Sequence, residues 1–242
     1  MAPSLTLRYA AHTDQGLVRA ENLDAVFAGE GFAAVADGFG QTASSTLVSQ
    51  RAIEAFMSVT RSPGALLDGL HKAALHAVAD VRTLAAPGSD LADAGTTLTA
   101  LAWSGDELAL VHVGDTRAYL LREDGQLLQL THDDTLVQSL IDSGQLTDEE
   151  AESHPQRAIL IRALHGGAAS APPTVLPQYA EPGDRYLLCS DGLHSVLTLA
   201  QIRRTLRLPQ PPQAVVDALI TLVREAGAPD NVACVVADVL PT

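Results

Sequence analysis

Three things are scarce in this 242-residue chain: cysteine, long apolar runs and basic residues. The two cysteines, Cys189 and Cys234, both lie in apolar runs, which is typical of small core residues in a reducing compartment rather than of a disulfide framework. No apolar run approaches the length of a membrane span, and the first residues show no basic segment followed by an apolar one. We therefore expect a cytoplasmic protein without a signal peptide or a membrane segment.

The charge balance excludes two classes of partner. The chain has 15 Lys and Arg against 29 Asp and Glu, so its formal net charge is -14. Nucleic acids and anionic membrane surfaces are bound largely through basic residues, so we expect neither as a partner. The surplus of carboxylates is compatible with a site that holds divalent cations.

The apolar content and its periodicity predict one α+β domain. Hydrophobic residues make up 47% of the chain and charged residues 18%, which argues against disorder and allows a sizeable core. The order is strands, two helices, many strands, two helices and one strand, as in antiparallel sheets with outer helices. Helices are predicted at 42–60, 66–84, 134–143, 147–153, 199–206 and 213–226. Strands are predicted at 5–11, 23–28, 32–36, 96–103, 107–113, 117–122, 126–130, 175–180, 185–190 and 232–239. No boundary divides the chain, so a single domain over 1–242 is expected.

Short links join the predicted strands between 96 and 130. The links are 104–106, 114–116 and the pair Asp124-Gly125. Links of this length predict an antiparallel meander, and Asp-Gly between two apolar segments is typical of a two-residue hairpin turn.

The most informative stretch is FAAVADGFG at 32–40. Five small or apolar residues run directly into Asp37, which predicts a carboxylate at the end of a buried strand. Such a carboxylate needs hydrogen bonds, a cation or a metal. Gly38 then lets the backbone approach a ligand closely and leaves its carbonyl free to point at it. A hairpin turn explains Asp37-Gly38 less well than it explains Asp124-Gly125, because no second alternating strand follows Gly38.

Four aspartates share this context. Asp37, Asp115 and Asp191 each follow an apolar strand, and Asp230 directly precedes the last one. Strand ends can converge at one sheet edge, and converging carboxylates repel one another unless a multivalent cation lies between them. Oxygen ligands suit Mg²⁺ or Mn²⁺, and two such ions can activate a water and hold a phosphoryl group. On spacing alone, four separate turn aspartates are the simpler interpretation. If the four aspartates are separate, Arg19 would be an ordinary surface residue. If they form a dimetal site, Arg19 beside it would bind a phosphate through two hydrogen bonds.

Six segments, in this order, resemble the metal-dependent serine/threonine protein phosphatases of the PP2C type (the PPM family). They cover nearly the whole chain and are TDQGLVRAENLDA at 13–25, VADGFG at 35–40, AGTTLTAL at 94–101, HVGDTRAYLL at 112–121, LLCSDGL at 187–193 and PDNVACVV at 229–236. The length is closest to the bacterial stand-alone branch. The segment 136–166 is similar to that branch's flap, so a flap subdomain is expected at about 133–170.

The resemblance implies a four-layer αββα sandwich, in which two antiparallel sheets pack face to face with a helix pair on each outside. It also implies a two-ion Mn²⁺ or Mg²⁺ centre at which a metal-activated water attacks phosphoserine or phosphothreonine in one step. By motif, Asp37 would bridge the two ions, and the Gly38 carbonyl would bind the second. Asp191 and Asp230 would complete the first. Asp115 would hold a third, weaker ion.

Two further roles and two departures follow from the same resemblance. Arg19 would bind the substrate phosphate, and Asp24 would hold waters around the second ion. The family usually has Asn-Glu-Asp where this chain has Asn22-Leu23-Asp24. It also usually has a histidine where this chain has Thr42. We therefore expect weaker binding of the second ion and a need for high Mn²⁺.

The resemblance suggests a substrate class and leaves alternatives open. The substrate would be a phosphorylated protein, as the target of a bacterial Ser/Thr kinase, and type VI secretion components are further candidate partners. The departures at Leu23 and Thr42 also allow a pseudophosphatase that binds phosphoproteins without turnover. A hydrolase of small phosphate esters is the third alternative.

Overall fold

The computed structural model describes residues 5–57, 59, 65–167 and 170–240. The strands in chain order are β1 Leu7–Asp14, β2 Ala25–Gly29, β3 Phe32–Ala36, β4 Gly38–Phe39, β5 Gly95–Thr96, β6 Leu98–Ser104, β7 Glu107–Val113, β8 Arg117–Leu121, β9 Leu127–Gln129, β10 Leu164–His165, β11 Thr174–Gln178, β12 Arg185–Cys189 and β13 Val232–Val239. The helices are α1 Thr46–Met57, α2 Leu66–Leu84, α3 Leu136–Asp142, α4 Asp148–Glu152, α5 Asp191–His194, α6 Leu199–Leu206 and α7 Pro212–Glu225. None of the helices within these ranges has the length and apolar character needed to cross a membrane.

Two five-stranded antiparallel sheets form the centre of the fold. Their strand orders are β1-β13-β12-β8-β9 and β11-β7-β6-β3-β2. A third, small sheet has the order β10-β5-β4. The first and last strands of the chain are paired along their whole length, from Leu7 opposite Val239 to Asp14 opposite Val232.

The alternation of side chains along β13 shows how the layers pack. All eight of its residues are buried, because one face meets the other sheet and the opposite face meets helices. Ala233, Val235 and Ala237 belong to the core between the sheets, whereas Cys234 and Val236 belong to the core under the helices. Cys189 and Cys234 are both free and buried, as predicted.

Each sheet carries helices on its outer face. Along α2 the buried residues recur at helical spacing, as in Leu70, Ala74, Ala77 and Val81, and together with α1 they cover the β3, β6 and β7 side. On the other side, α6 and α7 pack over β12 and β13. The four-layer αββα arrangement expected from the resemblance is therefore present.

One topological prediction is wrong. The strands between 96 and 130 do not form one meander, because β6 and β7 lie in one sheet whereas β8 and β9 lie in the other. Both edges of β7 are already paired, with β6 and β11, so the chain turns at Gly114 (φ +102°) and crosses to the other sheet. The β8–β9 turn also differs from the prediction: the amide of Arg122 donates to Gln126, which leaves a three-residue loop that includes Asp124 and Gly125.

The other predicted elements agree with the structure to within about two residues at each end, with three exceptions. The strand predicted at 5–11 is Leu7–Asp14, and the strand predicted at 96–103 is interrupted at Thr97, between β5 and β6. The helix predicted at 42–60 begins at Thr46, after a 3-10 turn at Ala43–Ser45, and its predicted end lies outside the described residues. The predicted flap contains α3, α4 and a bridge between Thr135 and Leu160. The described residues within 133–170 omit 168–169, and the flap's status as a subdomain of one domain over 1–242 stays a prediction.

Candidate functional site

A cleft of about 720 Å³ opens between the two sheets. It lies at the end of β3 in one sheet and, in the other, at the end of β12 and the start of β13. Asp37 follows β3, Asp191 comes directly after Ser190 at the end of β12, and Asp230 precedes β13. The cleft walls contain six of the seven predicted site residues: Arg19, Asp37, Gly38, Asp115, Asp191 and Asp230. The seventh, Asp24, is buried next to them. Residues far apart in sequence are thus brought to one place.

The backbone of Asp37 is held on both sides by neighbouring threonines. Its amide donates to Thr97 Oγ1 at 3.1 Å, and its carbonyl accepts from the Thr97 amide at 2.9 Å and from Thr96 Oγ1 at 3.0 Å. With its peptide groups satisfied, the Asp37 carboxylate is free to face the cleft. Burial raises its pKa well above the ordinary value, and the nearby charges of Asp24 and Asp191 add to that rise.

Gly38 is required by a close backbone contact. A Cβ at this position would lie 2.3 Å from the carbonyl oxygen of Leu23. That carbonyl also accepts a 2.7 Å hydrogen bond from Ser49 Oγ, so it cannot easily move away. The absence of a side chain at residue 38 therefore lets the loop that carries Leu23 pack directly against the end of β3.

A second glycine brings Asp191 next to Asp230. A Cβ on Gly192 would lie 1.8 Å from the carbonyl oxygen of Asn231, so the start of α5 touches the backbone that leads into β13. Ser190 Oγ accepts from the amide of Ala233 at 2.9 Å and reinforces the same contact. Burial raises the pKa of Asp191, and the charge of Asp230 raises it further.

Arg19 and Asp230 form a two-pronged ion pair at the cleft. Arg19 Nε donates to Asp230 Oδ1 at 2.7 Å, and Arg19 Nη2 donates to Asp230 Oδ2 at 2.6 Å. The arginine side chain is 58% exposed, so it lies at the mouth of the cleft. The hydrogen bond and charge of Asp230 raise the pKa of Arg19, which stays cationic.

Asn231 is a positioning residue that the sequence analysis missed. Its Oδ1 accepts from the Leu23 amide at 2.9 Å, and its Nδ2 donates to the carbonyls of Gln15 at 2.9 Å and Glu21 at 2.8 Å. These three bonds fasten the loop that carries Arg19 to the start of β13. Asn231 stands in the segment PDNVACVV, but nothing in that segment indicates which distant loop it contacts.

Asp24 is a buried carboxylate with one unsatisfied oxygen among the described residues. It is only 5% exposed, and its Oδ2 has no hydrogen-bond partner among the described residues. Burial raises the pKa of Asp24 to about 7; the charges of Asp191 and Asp230 add to the rise, and a hydrogen bond from Ser190 opposes it. An unpaired buried carboxylate is costly, and a nearby cation would relieve that cost.

Asp115 lies in the turn by which the chain crosses from β7 to β8. Its carbonyl accepts from His194 Nε2 at 2.9 Å, which ties this turn to α5. Burial raises the pKa of the Asp115 carboxyl to about 7, with a smaller contribution from the charge of Asp191. Asp115 is thus part of the same group of carboxylates.

The donors present fit a hard divalent cation. The groups in the cleft are oxygens, one of them without a partner among the described residues, and burial together with the neighbouring carboxylate charges raises the pKa of Asp37 and Asp191. Within the described ranges, no three Asp, Glu, His or Cys side chains are already arranged around one cation position. Arg19 takes both carboxylate oxygens of Asp230, so a cation would have to replace Arg19 there.

The flap forms one wall of the cleft. Ala158, Leu160, Ile161, Ala163 and His165 of the flap line it, as do Leu23 and Thr42, the two departures from the family pattern named above. This wall is mostly apolar. It was predicted only as a segment, because the hydrophobic residues that face the cleft share no periodicity.

Comparison with known proteins identifies the relatives. A family model described as Protein phosphatase 2C matches residues 10–238. The serine/threonine protein phosphatase PstP of Mycobacterium tuberculosis is 46% identical over 242 residues, which is 98% of this chain and 46% of that protein. The chain therefore spans about half the length of this relative. The serine/threonine phosphatase stp of Listeria innocua is 31% identical over 232 residues and matches over 91% of both chains.

A solved structure supports the same conclusion about the fold. The catalytic domain of PstP in complex with two manganese ions superimposes with a TM-score of 0.89 at 43% identity, covering 98% of this chain and 100% of that one. The α+β sandwich predicted from the resemblance is confirmed.

Proposed function

Because this chain belongs to the protein phosphatase 2C family, we propose that it is a serine/threonine phosphoprotein phosphatase. One observation carries the proposal. Three aspartates at strand ends, Asp37, Asp191 and Asp230, meet in one cleft beside an exposed Arg19 and a buried Asp24, whose Oδ2 has no hydrogen-bond partner among the described residues. Crowded carboxylates and a guanidinium fork are what a cation-assisted phosphoryl transfer needs.

We assign the cation ligands by the same motifs. Asp37 would be shared between two Mn²⁺ or Mg²⁺ ions, with Asp191 and Asp230 on the first and the Gly38 carbonyl on the second. Asp24 would hold water around the second ion, and Asp115 would hold a third, weaker one. When bound, such ions lower the pKa of water and draw charge from phosphate oxygens.

The residue of this chain that would bind the substrate is Arg19, through its guanidinium group. Its planar donors match two phosphate oxygens, and its exposure lets a phosphorylated side chain of a protein reach it. Arg19 now donates to Asp230, so a phosphate would take over those donors. The orientation of the substrate therefore depends on the loop that Asn231 fastens.

The substrate is proposed at the level of its class. It is a protein phosphorylated on serine or threonine, supplied by a Ser/Thr kinase, and type VI secretion components stay a prediction. The retained carboxylates favour turnover over the pseudophosphatase alternative. The small-ester alternative predicts equal or faster turnover of p-nitrophenyl phosphate than of a phosphopeptide.

The test is phosphate release from a phosphothreonine peptide with Mn²⁺ and then with EDTA. We expect release with Mn²⁺, none with EDTA, and none from Asp37→Asn at any Mn²⁺ concentration. Asp68→Asn is the matched control, since Asp68 also precedes glycine but is exposed on α2. Full activity of Asp37→Asn would overturn the site assignment, and no release from folded wild type would overturn the proposed activity.

A further inference from the structure

A cationic face lies on α6, outside the cleft. Arg203, Arg204 and Arg207 are exposed and line one shallow groove, while Ile202 and Leu206 on the opposite face are buried. Spacings of three and four residues place Arg207 on the same side of the helix as Arg204 and Arg203. In a chain of net charge -14, three arginines at one place form a marked local reversal of charge.

These three arginines, called here the α6 arginine face, have no carboxylate partner among the described residues. Eight other arginines, Arg8, Arg51 and Arg224 among them, do form ion pairs. Eight of the fifteen basic residues are therefore paired within the chain, whereas the three arginines of the α6 arginine face stand together and are available to bind an anion.

Capping of the helix does not explain the face. Basic residues in a last turn commonly bind the free carbonyls at a helix C-terminus. Here Arg185 does this instead: its Nη1 donates to the carbonyls of Leu206 at 2.8 Å and Leu208 at 3.0 Å, and its Nη2 donates to Gln210 at 2.8 Å. The three arginines are therefore not needed to satisfy these carbonyls.

The position of the face separates it from the cleft. Arg185 begins β12, and Asp191 lies six residues further on, which is about 20 Å of extended strand. This distance exceeds the screening length of about 8 Å at physiological ionic strength. The negative charges of the cleft therefore do not neutralise the positive charge of the α6 arginine face. The Arg207 guanidinium also lies beside Gly125 in the β8–β9 turn, and all three arginines are exposed.

We propose that the α6 arginine face is a docking site for an acidic peptide segment, rich in Asp and Glu, of a partner protein. Guanidinium forks pair with carboxylates in two-pronged geometry, and a run of carboxylates complements a row of three forks. Exposed Leu199 and Leu208 flank the arginines and give apolar contacts to the same segment. As an extension that rests on the proposed function, the partner is a phosphoprotein substrate whose acidic segment lies apart from its phosphorylated residue.

The first experiment measures docking without catalysis. A fluorescein-labelled Glu/Asp peptide that carries no phosphate is titrated with the full chain, and its anisotropy is recorded. We expect the triple variant Arg203→Gln, Arg204→Gln, Arg207→Gln to bind at least about fivefold more weakly, since it removes three exposed guanidinium–carboxylate pairs. Binding to wild type should weaken as NaCl is added.

A matched control keeps this result interpretable. Lys72→Gln with Arg82→Gln removes two exposed cations of α2 that also have no ion pair among the described residues, and it should leave the dissociation constant unchanged. Thermal unfolding of all variants confirms folding. Equal affinities of wild type and the triple variant would overturn the proposal, as would tighter binding of anionic vesicles or of an oligonucleotide than of the peptide.

A second experiment separates docking from the proposed phosphatase activity. Two phosphothreonine peptides are compared, one extended by the Glu/Asp segment through a Gly/Ser linker of about 12 residues, whose average span is about 20 Å. We expect the extension to lower KM severalfold in wild type and not in the triple variant, with kcat unchanged. Absence of turnover would count against the phosphatase alone, since the anisotropy result stands independently of it.

Discussion

Arg19 and Asp230 lie 211 residues apart in sequence and are joined by two short hydrogen bonds, of 2.7 and 2.6 Å, between the guanidinium and the carboxylate. The pair links the proposed phosphate clamp to a proposed cation ligand. A phosphate bound at Arg19 would release Asp230, and a cation bound at Asp230 would release Arg19. Binding of phosphate and binding of cation are therefore expected to assist each other.

Arg19→Ala should mainly raise KM. The variant loses a charge-assisted, two-pronged contact worth about 1.5–3 kcal/mol, which is on the order of tenfold to a hundredfold in KM. Steady-state kinetics on a phosphothreonine peptide measure this. Arg51→Ala is the matched control, because Arg51 is equally exposed and also forms an ion pair. An unchanged KM would remove Arg19 from its role as the phosphate clamp.

Asn231→Ala should lower both stability and Mn²⁺ affinity. It leaves the Leu23 amide and the carbonyls of Gln15 and Glu21 without their partner, at a cost of about 1–3 kcal/mol. Thermal unfolding and calorimetric Mn²⁺ titration measure the two effects. Asn231→Asp keeps the acceptor for Leu23 but loses both donated bonds, so an intermediate effect is expected. If Asn231→Ala matches wild type in both assays, Asn231 does not position the loop.

Gly192→Ala should destabilise the protein and reduce its activity. The new Cβ would lie 1.8 Å from the Asn231 carbonyl, so α5 must shift, at a cost of about 1–3 kcal/mol. Gly144→Ala is the comparison, since residue 144 has positive φ but open space around it, and it should cost about 1 kcal/mol without loss of activity. Equal behaviour of the two variants would show that the close approach is unimportant.

Leu23→Glu should lower the Mn²⁺ concentration needed for half-maximal activity. Leu23 lines the cleft beside Gly38 and Asp37, and a carboxylate there adds an oxygen ligand. Mn²⁺ binding measured by calorimetry should tighten in parallel. Leu17→Glu adds the same charge to an exposed position of the same loop and should change neither quantity. No change in Leu23→Glu would show that the departure from the family pattern does not weaken cation binding.

Much of the fold could be predicted because the patterns are local. The helix Leu66–Leu84 and the strands Phe32–Ala36, Glu107–Val113 and Val232–Val239 have the predicted bounds, since apolar periodicity alone specifies them. The meander at 96–130 was wrong for a non-local reason. Short links suggest pairing in one sheet, but β7 already has two partners, and that is known only once β11 is in place.

The candidate site also has features that local sequence patterns predict and features that they do not. The amino-acid sequence is enough to predict which residues are chemically suited to the site, because an aspartate at the end of an apolar strand is unusual and motif order is specific. The partners of these residues follow only from the folded structure. Three features depend on the two sheets packing together. Arg19 pairs with Asp230, Asn231 holds the 15–23 loop, and Asp24 is buried with one oxygen that has no partner among the described residues. Packing joins residues some two hundred positions apart, and no local pattern carries that information.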